Sequence, residues 1–315
     1  MAEMKRPKTA AQRLRELITD KSKIVNCPGV YDGLTARLAL REGFDCLYMV
    51  SELSTGAGTT ASRLGMPDLG LATFNDMLES AAMIASLDRK TPLIADADTG
   101  YGGPVMVART VRAYITAGVA GLHLEDQVIT KRCGHLSGKE LVDQDTYISR
   151  IRAAVMARDE MRAATGGDIV IIARTDALQS LGYDQAIQRL RLAVEAGADV
   201  AFLEGPTSVE QCRQVCQDFV GVPVLLNMVS GGVTPNLSVS EAQELGFRLI
   251  IHPGLALFPV LEGVENAFRE IKATGKAQVS EAQAKEGVKK LFNACGLRDC
   301  IEFDAKAGGS AYKNV

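Results

Sequence analysis

Two stretches of the chain carry residue types that could act together on a small anionic molecule. The run from Thr91 to Gly103 reads Thr-Pro-Leu-Ile-Ala-Asp-Ala-Asp-Thr-Gly-Tyr-Gly-Gly, an apolar strand that ends in Asp96 and Asp98. Side chains two apart on a strand face the same way, so the two carboxylates share a side and the glycines after them leave room. A hard divalent cation suits such a place, because Mg2+ takes one or two carboxylates and completes its shell with substrate oxygens and water. The second stretch, Lys131-Arg132-Cys133-Gly134-His135, sets a thiol between a lysine and a histidine. Such surroundings lower a thiol's pKa and suit it to proton transfer. A metal would hold an oxyanion and a cysteine would move a proton, and the remaining elements must bring the two together.

Those elements are legible as eight short β-rich runs at 24–28, 46–50, 92–98, 121–126, 168–175, 199–204, 222–227 and 248–253. Between them lie amphipathic stretches at 35–42, 74–87, 105–117, 145–163, 183–196, 209–218 and 239–245, and an eighth helix is expected over 254–272. Apolar strands alternating with helices indicate a parallel sheet with crossovers. Eight such units predict a closed (β/α)8 barrel of the TIM type, and no Gly-x-Gly-x-x-Gly follows the first strand to suggest a dinucleotide fold. The polar residues Asp96, Asp98, Glu125, Asp126, Arg174, Asp176, Glu204 and Asn227 fall at or just past strand ends, as do Tyr31 and Asp32 after the first strand. In a barrel those ends form the face that carries the active site. The expected organisation is a catalytic barrel with an N-terminal helix over residues 1–275, then a helical tail over 276–315 with one further helix at 280–292. The tail is expected to pack on a neighbouring subunit.

Composition excludes several classes. The chain has 315 residues, 47% hydrophobic and 23% charged, with a net charge of −3. No basic field for nucleic acid is implied, and no apolar run is long enough for a membrane helix. The basic N-terminus has no apolar core of a secretory signal, and the chain reads as cytoplasmic, with a mitochondrial address the lesser alternative. The seven cysteines are expected to be buried and reduced, Cys212 and Cys216 lying one helical turn apart. His123 reads as a satisfied core histidine, and the charges within 5–23 as a solvated helix face.

The chain resembles the isocitrate lyase/phosphoenolpyruvate mutase superfamily, in its small-lyase branch of 2-methylisocitrate lyases, 2,3-dimethylmalate lyases and fungal oxaloacetate hydrolases. The likeness runs from about Lys23 to Lys272 and is carried by Pro28-Gly-Val-Tyr-Asp-Gly, Ala95-Asp-Ala-Asp-Thr-Gly-Tyr-Gly, Leu124-Glu-Asp-Gln, Lys131-Arg-Cys-Gly-His and Ala173-Arg-Thr-Asp. The resemblance implies Asp98 as the direct ligand of Mg2+ (Mn2+ an alternative), with Asp96 and Glu125 holding metal-bound waters. It implies that Thr55, Gly56 and Ala57 bind the substrate's α-carboxylate and oxygen. Tyr31, Asp32, Asp68, Arg174, Glu204 and Asn227 would line the pocket, and Lys131, Cys133, Gly134 and His135 would sit on a mobile lid. The implied reaction is a retro-Claisen cleavage of a 2-hydroxy di- or tricarboxylate, with Cys133 protonating the departing carbon. The family's tetramers, dimers of dimers with exchanged terminal helices, are expected here too.

Two departures keep alternatives open. Val50-Ser-Glu-Leu-Ser54 stands between the second strand and the Thr55-Gly56-Ala57 loop, where the family has no such insertion. The alternative it raises is an inactive barrel that binds dicarboxylates. In the loop after strand seven the oxaloacetate hydrolases use a serine, whereas Pro235 occupies the matching position here, with Ser230 and Ser238 nearby. The lyase reading is therefore preferred over an oxaloacetate acetylhydrolase that forms oxalate and acetate.

Overall fold

In a computed structural model, which describes residues 8–50, 58–132 and 138–312 apart from the side chains of 281–283, eight parallel strands pair in chain order and the last closes on the first. They are β1 (Val25–Val30), β2 (Leu47–Met49), β3 (Leu93–Asp96), β4 (Gly121–Leu124), β5 (Val170–Thr175), β6 (Val200–Leu203), β7 (Val224–Asn227) and β8 (Leu249–His252). The helices that wrap them begin with α1 (Ala10–Thr19), α2 (Gly33–Arg41), α3 (Gly58–Leu64), α4 (Phe74–Leu87), α5 (Pro104–Ala117) and α6 (Gln144–Thr165). There follow α7 (Ala177–Leu181), α8 (Tyr183–Glu195), α9 (Val209–Asp218), α10 (Val239–Leu245), α11 (Leu257–Thr274), α12 (Glu281–Ala294) and α13 (Leu297–Lys306). This is the expected (β/α)8 barrel. The tail carries α13 beyond the single helix foreseen there. No helix among the described residues is long and apolar enough to cross a membrane.

Alternation along the strands sorts the barrel interior into layers, each filled from alternate strands. Tyr48, His123, Phe202 and Ile251 form one layer. Within it the Tyr48 hydroxyl and His123 Nε2 are 2.8 Å apart and their rings stack, while Phe202 meets His123 edge-on with centroids 5.8 Å apart. The positions one step toward the C-terminal ends are Gly29, Asp96, Arg174 and Asn227, and the next are Val50, Glu125, Glu204 and Pro253. The apolar filling therefore stops at the His123 layer, and the polar groups above it make the floor of a site. Gly29 is required in that stack, because a Cβ there would lie 2.4 Å from the Pro253 carbonyl oxygen.

The opposite end is closed by α1, whose apolar face turns inward, while Lys8, Glu16, Asp20, Lys21 and Lys23 are exposed as a solvated face requires, and of the described charges there only Arg15 is drawn into part-buried ion pairs. Leu14 is fully buried and Ile18 nearly so among the barrel-interior residues. Arg15 spans Asp168 at 2.8 Å and Asp199 at 2.7 Å, the acids that precede β5 and β6. Leu14→Ala removes the plug's central side chain and is expected to cost about 2–5 kcal/mol, read as a lower urea midpoint with turnover unchanged below the transition.

The cysteines divide. Cys27, Cys46 and Cys212 are buried and Cys216 partly so, but Cys295 and Cys300 in the tail are exposed, against the expectation of burial. All six described cysteines are free thiols.

Candidate active site

β3 ends at Asp96 because the chain turns sharply after it. Asp98 sits at φ 47° and Tyr101 at φ 63°, left-handed conformations that cost a side chain such as tyrosine about 1–3 kcal/mol and collect at functional sites. The turn folds the chain back on itself: the Asp98 amide donates to Asp96 Oδ1 at 2.7 Å, and the Glu125 amide donates to the Asp98 carbonyl at 2.9 Å. Asp96, Asp98 and Glu125 are thereby tied through backbone at the ends of adjacent strands, all three buried. Asp96 also lies 3.4 Å from His123 Nδ1, and Glu125 accepts from Gln127 Nε2 at 2.9 Å.

A cation already sits on this cluster. Lys131, 2% exposed, places Nζ 2.5 Å from Asp98 Oδ1 and 3.0 Å from Asp68 Oδ1. No three His, Cys, Asp or Glu side chains among the described residues form a complete metal cage. The donor set suits Mg2+ all the same, since that ion asks the protein for only one or two carboxylates, and the ammonium shows Asp98 receiving a hard positive charge.

On β5, next to β4, stands Arg174, 2% exposed. Asp176 accepts from its Nε at 2.9 Å and from Nη2 at 3.2 Å. Its Nη1 lies 3.4 Å from Glu125 and Nη2 3.6 Å from Glu204. Asn227 Nδ2 donates to Glu204 at 3.1 Å, while its Oδ1 is buried with no hydrogen-bond partner among the described residues. Behind them, Asp126 accepts from the Thr175 hydroxyl, the Asp176 amide and Arg189, bracing the ends of β4 and β5. Burial, and then the nearby charge of Asp176, push the Asp126 pKa up.

Of the residues expected at the site, Asp68, Asp96, Asp98, Glu125, Lys131, Arg174, Glu204 and Asn227 are linked by these contacts. Tyr31 is buried at the end of β1, and burial followed by the Asp32 charge raises its pKa. Asp32 itself is engaged at the N-terminus of α2, where its carboxylate accepts from the Thr35 amide and hydroxyl, both at 2.8 Å. Thr55, Gly56, Ala57, Cys133, Gly134 and His135 lie outside the described residues, as do Ser51–Ser54 of the insertion. The chain on either side of that segment is tied together, the Thr59 amide donating to the Val50 carbonyl at 2.9 Å.

Sequence reasoning gave no role to Asp176 and overlooked Lys139, whose Nζ lies 2.8 Å from Asp176 Oδ1. Asp176 was at least visible as one more acid at a strand end. Two cavities flank the cluster. One of about 260 Å3 opens against Asp98 and Lys131 and is walled by Leu71, Phe74, Tyr101, Met106 and Ile129. Another of about 160 Å3 touches Lys139 and Glu204.

The sequence profile described as phosphoenolpyruvate phosphomutase matches residues 14–272, from α1 into α11. The chain belongs to that family. A 2-methylisocitrate lyase of Aeropyrum pernix is 42% identical over 300 residues, 95% of this chain and 91% of that protein. A crystal structure of 2,3-dimethylmalate lyase, titled a member of the PEP mutase/isocitrate lyase superfamily, superimposes with a TM-score of 0.91 at 51% identity, covering 98% of this chain and 99% of its own. Oxaloacetate acetylhydrolase bound to 3,3-difluorooxalacetate gives 0.89 at 49% identity, covering 96% and 99%. A more distant solved relative, phosphonopyruvate hydrolase complexed with oxalate and Mg2+, gives 0.78 at 26%, covering 95% and 99%. The chain is an enzyme, a small-molecule lyase of this superfamily.

Proposed function

We propose that the protein is a Mg2+-dependent carbon–carbon lyase acting on a small 2-hydroxy di- or tricarboxylate of the 2-methylisocitrate or 2,3-dimethylmalate type. One observation carries this reading: three buried carboxylates, Asp96, Asp98 and Glu125, gather at the ends of β3 and β4, Asp98 already pairs with the ammonium of Lys131, and Arg174 on the neighbouring β5 stands 3.4 Å from Glu125. When bound, Mg2+ would supply Lewis acidity toward the oxygens of the α-hydroxy or α-keto acid. Asp98 would be its ligand, and Asp96 and Glu125 would orient its waters. Arg174, with the Glu204–Asn227 pair beside it, would bind and orient the substrate's carboxylate end.

Transfer of the 2-hydroxyl proton to a general base would turn C2 into a carbonyl as the C2–C3 bond breaks. The bond's electrons leave with C3 as a carboxylate-stabilised enolate. Arg174 offers that anion positive charge in a water-poor setting, where such charge counts most. Cys133 would then deliver a proton to carbon, with Lys131 and His135 as its neighbours in the chain. Cys133→Ser is expected to slow cleavage by about a hundredfold or more, the range of general acid catalysis, while oxalate and Mg2+ still bind. Unchanged turnover in that variant would remove Cys133 from the mechanism.

The loop after β7 favours a lyase over a hydrolase. Ser238 caps α10, its hydroxyl on the Glu241 amide and carboxylate, and Ser230 is exposed. The second reading, an oxaloacetate acetylhydrolase, rests on the buried Thr234 hydroxyl, which has no hydrogen-bond partner among the described residues, and on the likeness to the solved hydrolase. NMR of the protein with Mg2+ and a mixture of 2-methylisocitrate, 2,3-dimethylmalate and oxaloacetate separates the readings. Pyruvate or propionate that disappears with EDTA is the expected result. Oxalate plus acetate would move the assignment to the hydrolase, and intact substrates alongside normal oxalate binding would leave an inactive dicarboxylate-binding barrel.

The same reading includes a homotetramer in which the tail over 276–315 packs on a neighbouring subunit. It is supported by α11, which runs 18 residues with none buried and exposes Val260, Leu261, Val264, Phe268 and Ile271. Sedimentation at micromolar concentration tests it, and a monomer would refute it.

A further inference from the structure

Arg174 lies among three acids. Asp176 holds it through two hydrogen bonds, and Glu125 and Glu204 stand 3.4 and 3.6 Å away, all of them buried. One guanidinium cannot offset three buried carboxylates, and a carboxylate without adequate compensation in such a place is costly. If Asp176 drew its compensation from Arg174 alone, little positive charge would remain for an incoming anion.

Lys139 changes that balance. It is 9% exposed, and its Nζ lies 2.8 Å from Asp176 Oδ1, the same oxygen that accepts from Arg174 Nη2. It comes from the connection between β4 and α6, where Gln127 and Leu141 form an antiparallel bridge and the Val128 amide donates to the Glu140 carbonyl at 3.0 Å. The lysine is therefore delivered to Asp176 by ordered backbone, and no step of the cleavage uses it.

We propose that Lys139 is a positioning residue that takes up the charge of Asp176, so that Asp176 orients Arg174 without neutralising it and Arg174 stays cationic toward the substrate's carboxylate. The inference rests on the carboxylate-binding reading given above. It assigns the pair two separate tasks: Asp176 sets the angle of the guanidinium, and Lys139 sets how much of its charge is available. A purely structural brace would do neither.

Calorimetric titration of oxalate at saturating Mg2+ tests it on the wild type, Lys139→Met, Lys139→Arg and the double variant Lys139→Met/Asp176→Asn, with thermal midpoints as the control for folding. Lys139→Met is expected to weaken oxalate binding by about tenfold or more, the consequence of leaving a buried charge without its partner. Lys139→Arg should stay within about threefold of the wild type, because it restores the charge. The double variant should bind oxalate better than Lys139→Met by about threefold, since removing the Asp176 charge frees Arg174 again; contacting residues show such non-additivity. Two losses in a structural brace would instead accumulate.

Should methionine prevent folding, Lys139→Gln carries the same expectation. Oxalate affinity unchanged in Lys139→Met, or a double variant no better than the single one, would overturn the inference alone. A wild-type protein that takes up no oxalate with Mg2+ would overturn the functional reading and this inference with it.

Discussion

Asp98→Asn is expected to lower kcat/KM by at least about a thousandfold and to abolish Mg2+ binding, with the barrel intact. The substitution changes one atom and one charge. Asparagine tolerates the left-handed backbone that Asp98 adopts at φ 47°, so the turn after β3 survives. Lys131 keeps Asp68 as a partner at 3.0 Å, so the buried ammonium is not abandoned and the stability loss should stay near 1–3 kcal/mol, the cost of an under-satisfied polar group. The function has no such reserve. A neutral amide is a far poorer ligand for a hard dication than a carboxylate, and removing even one donor from a developing oxyanion costs about a hundred- to a thousandfold.

A competing account makes Asp98 only the counter-charge of Lys131. That account predicts a lower thermal midpoint with Mg2+ affinity unchanged. Titration of the variant with Mg2+, followed by heat or by protection against thermal unfolding, decides between them. Wild-type affinity in Asp98→Asn would end the assignment of Asp98 as the ligand.

The sequence made the barrel plain because each strand is a short apolar run set off by Gly, Pro or acid, and parallel strands buried on both faces read that way. Strand ends were less clear for a physical reason. The run 92–98 stays apolar with alternating acids to its last residue, yet the strand stops at Asp96 because the backbone turns left-handed at Asp98. A side-chain pattern cannot report that turn. The gathering of the candidate site's carboxylates was legible because they fall at strand ends, a rule that needs no knowledge of the partner.

The braces were not. Arg15 meets Asp168 and Asp199 across 153 and 184 residues of chain, and Lys139 meets Asp176 across 37. Closure of the barrel makes those pairs, and nothing local to either lysine or arginine distinguishes it from a solvated charge. Asp32 is the reverse case. Asp-Gly-Leu-Thr has the spacing of a helix cap, and the Asp32 side chain accepts from the Thr35 amide at 2.8 Å, a role that local spacing alone makes legible.

Arg174→Met is expected to cost both activity and stability, and Arg174→Lys only activity; the difference between them is informative. Methionine leaves Asp176, Glu125 and Glu204 without the guanidinium that lies among them, and breaking a buried pair in this way costs about 3–5 kcal/mol. Lysine keeps the charge, so much of that penalty should be avoided. It cannot keep the geometry. The guanidinium gives Asp176 two bonds, at 2.9 and 3.2 Å, and still presents Nη1 toward Glu125. An ammonium is a point charge without the planar fork, and a lysine here would be drawn to one acid at the expense of the others. We therefore expect Arg174→Lys to fold with a thermal midpoint close to the wild type and to lose about a thousandfold in kcat/KM, at the upper end of what removing an oxyanion donor costs. On the proposed reading the same fork would bind the carboxylate in the ground state and the enolate after cleavage, so KM for the substrate should rise along with the fall in kcat. A lysine variant that turned over like the wild type would mean that Arg174 serves only to balance charge in the barrel mouth, and that the anion is held elsewhere.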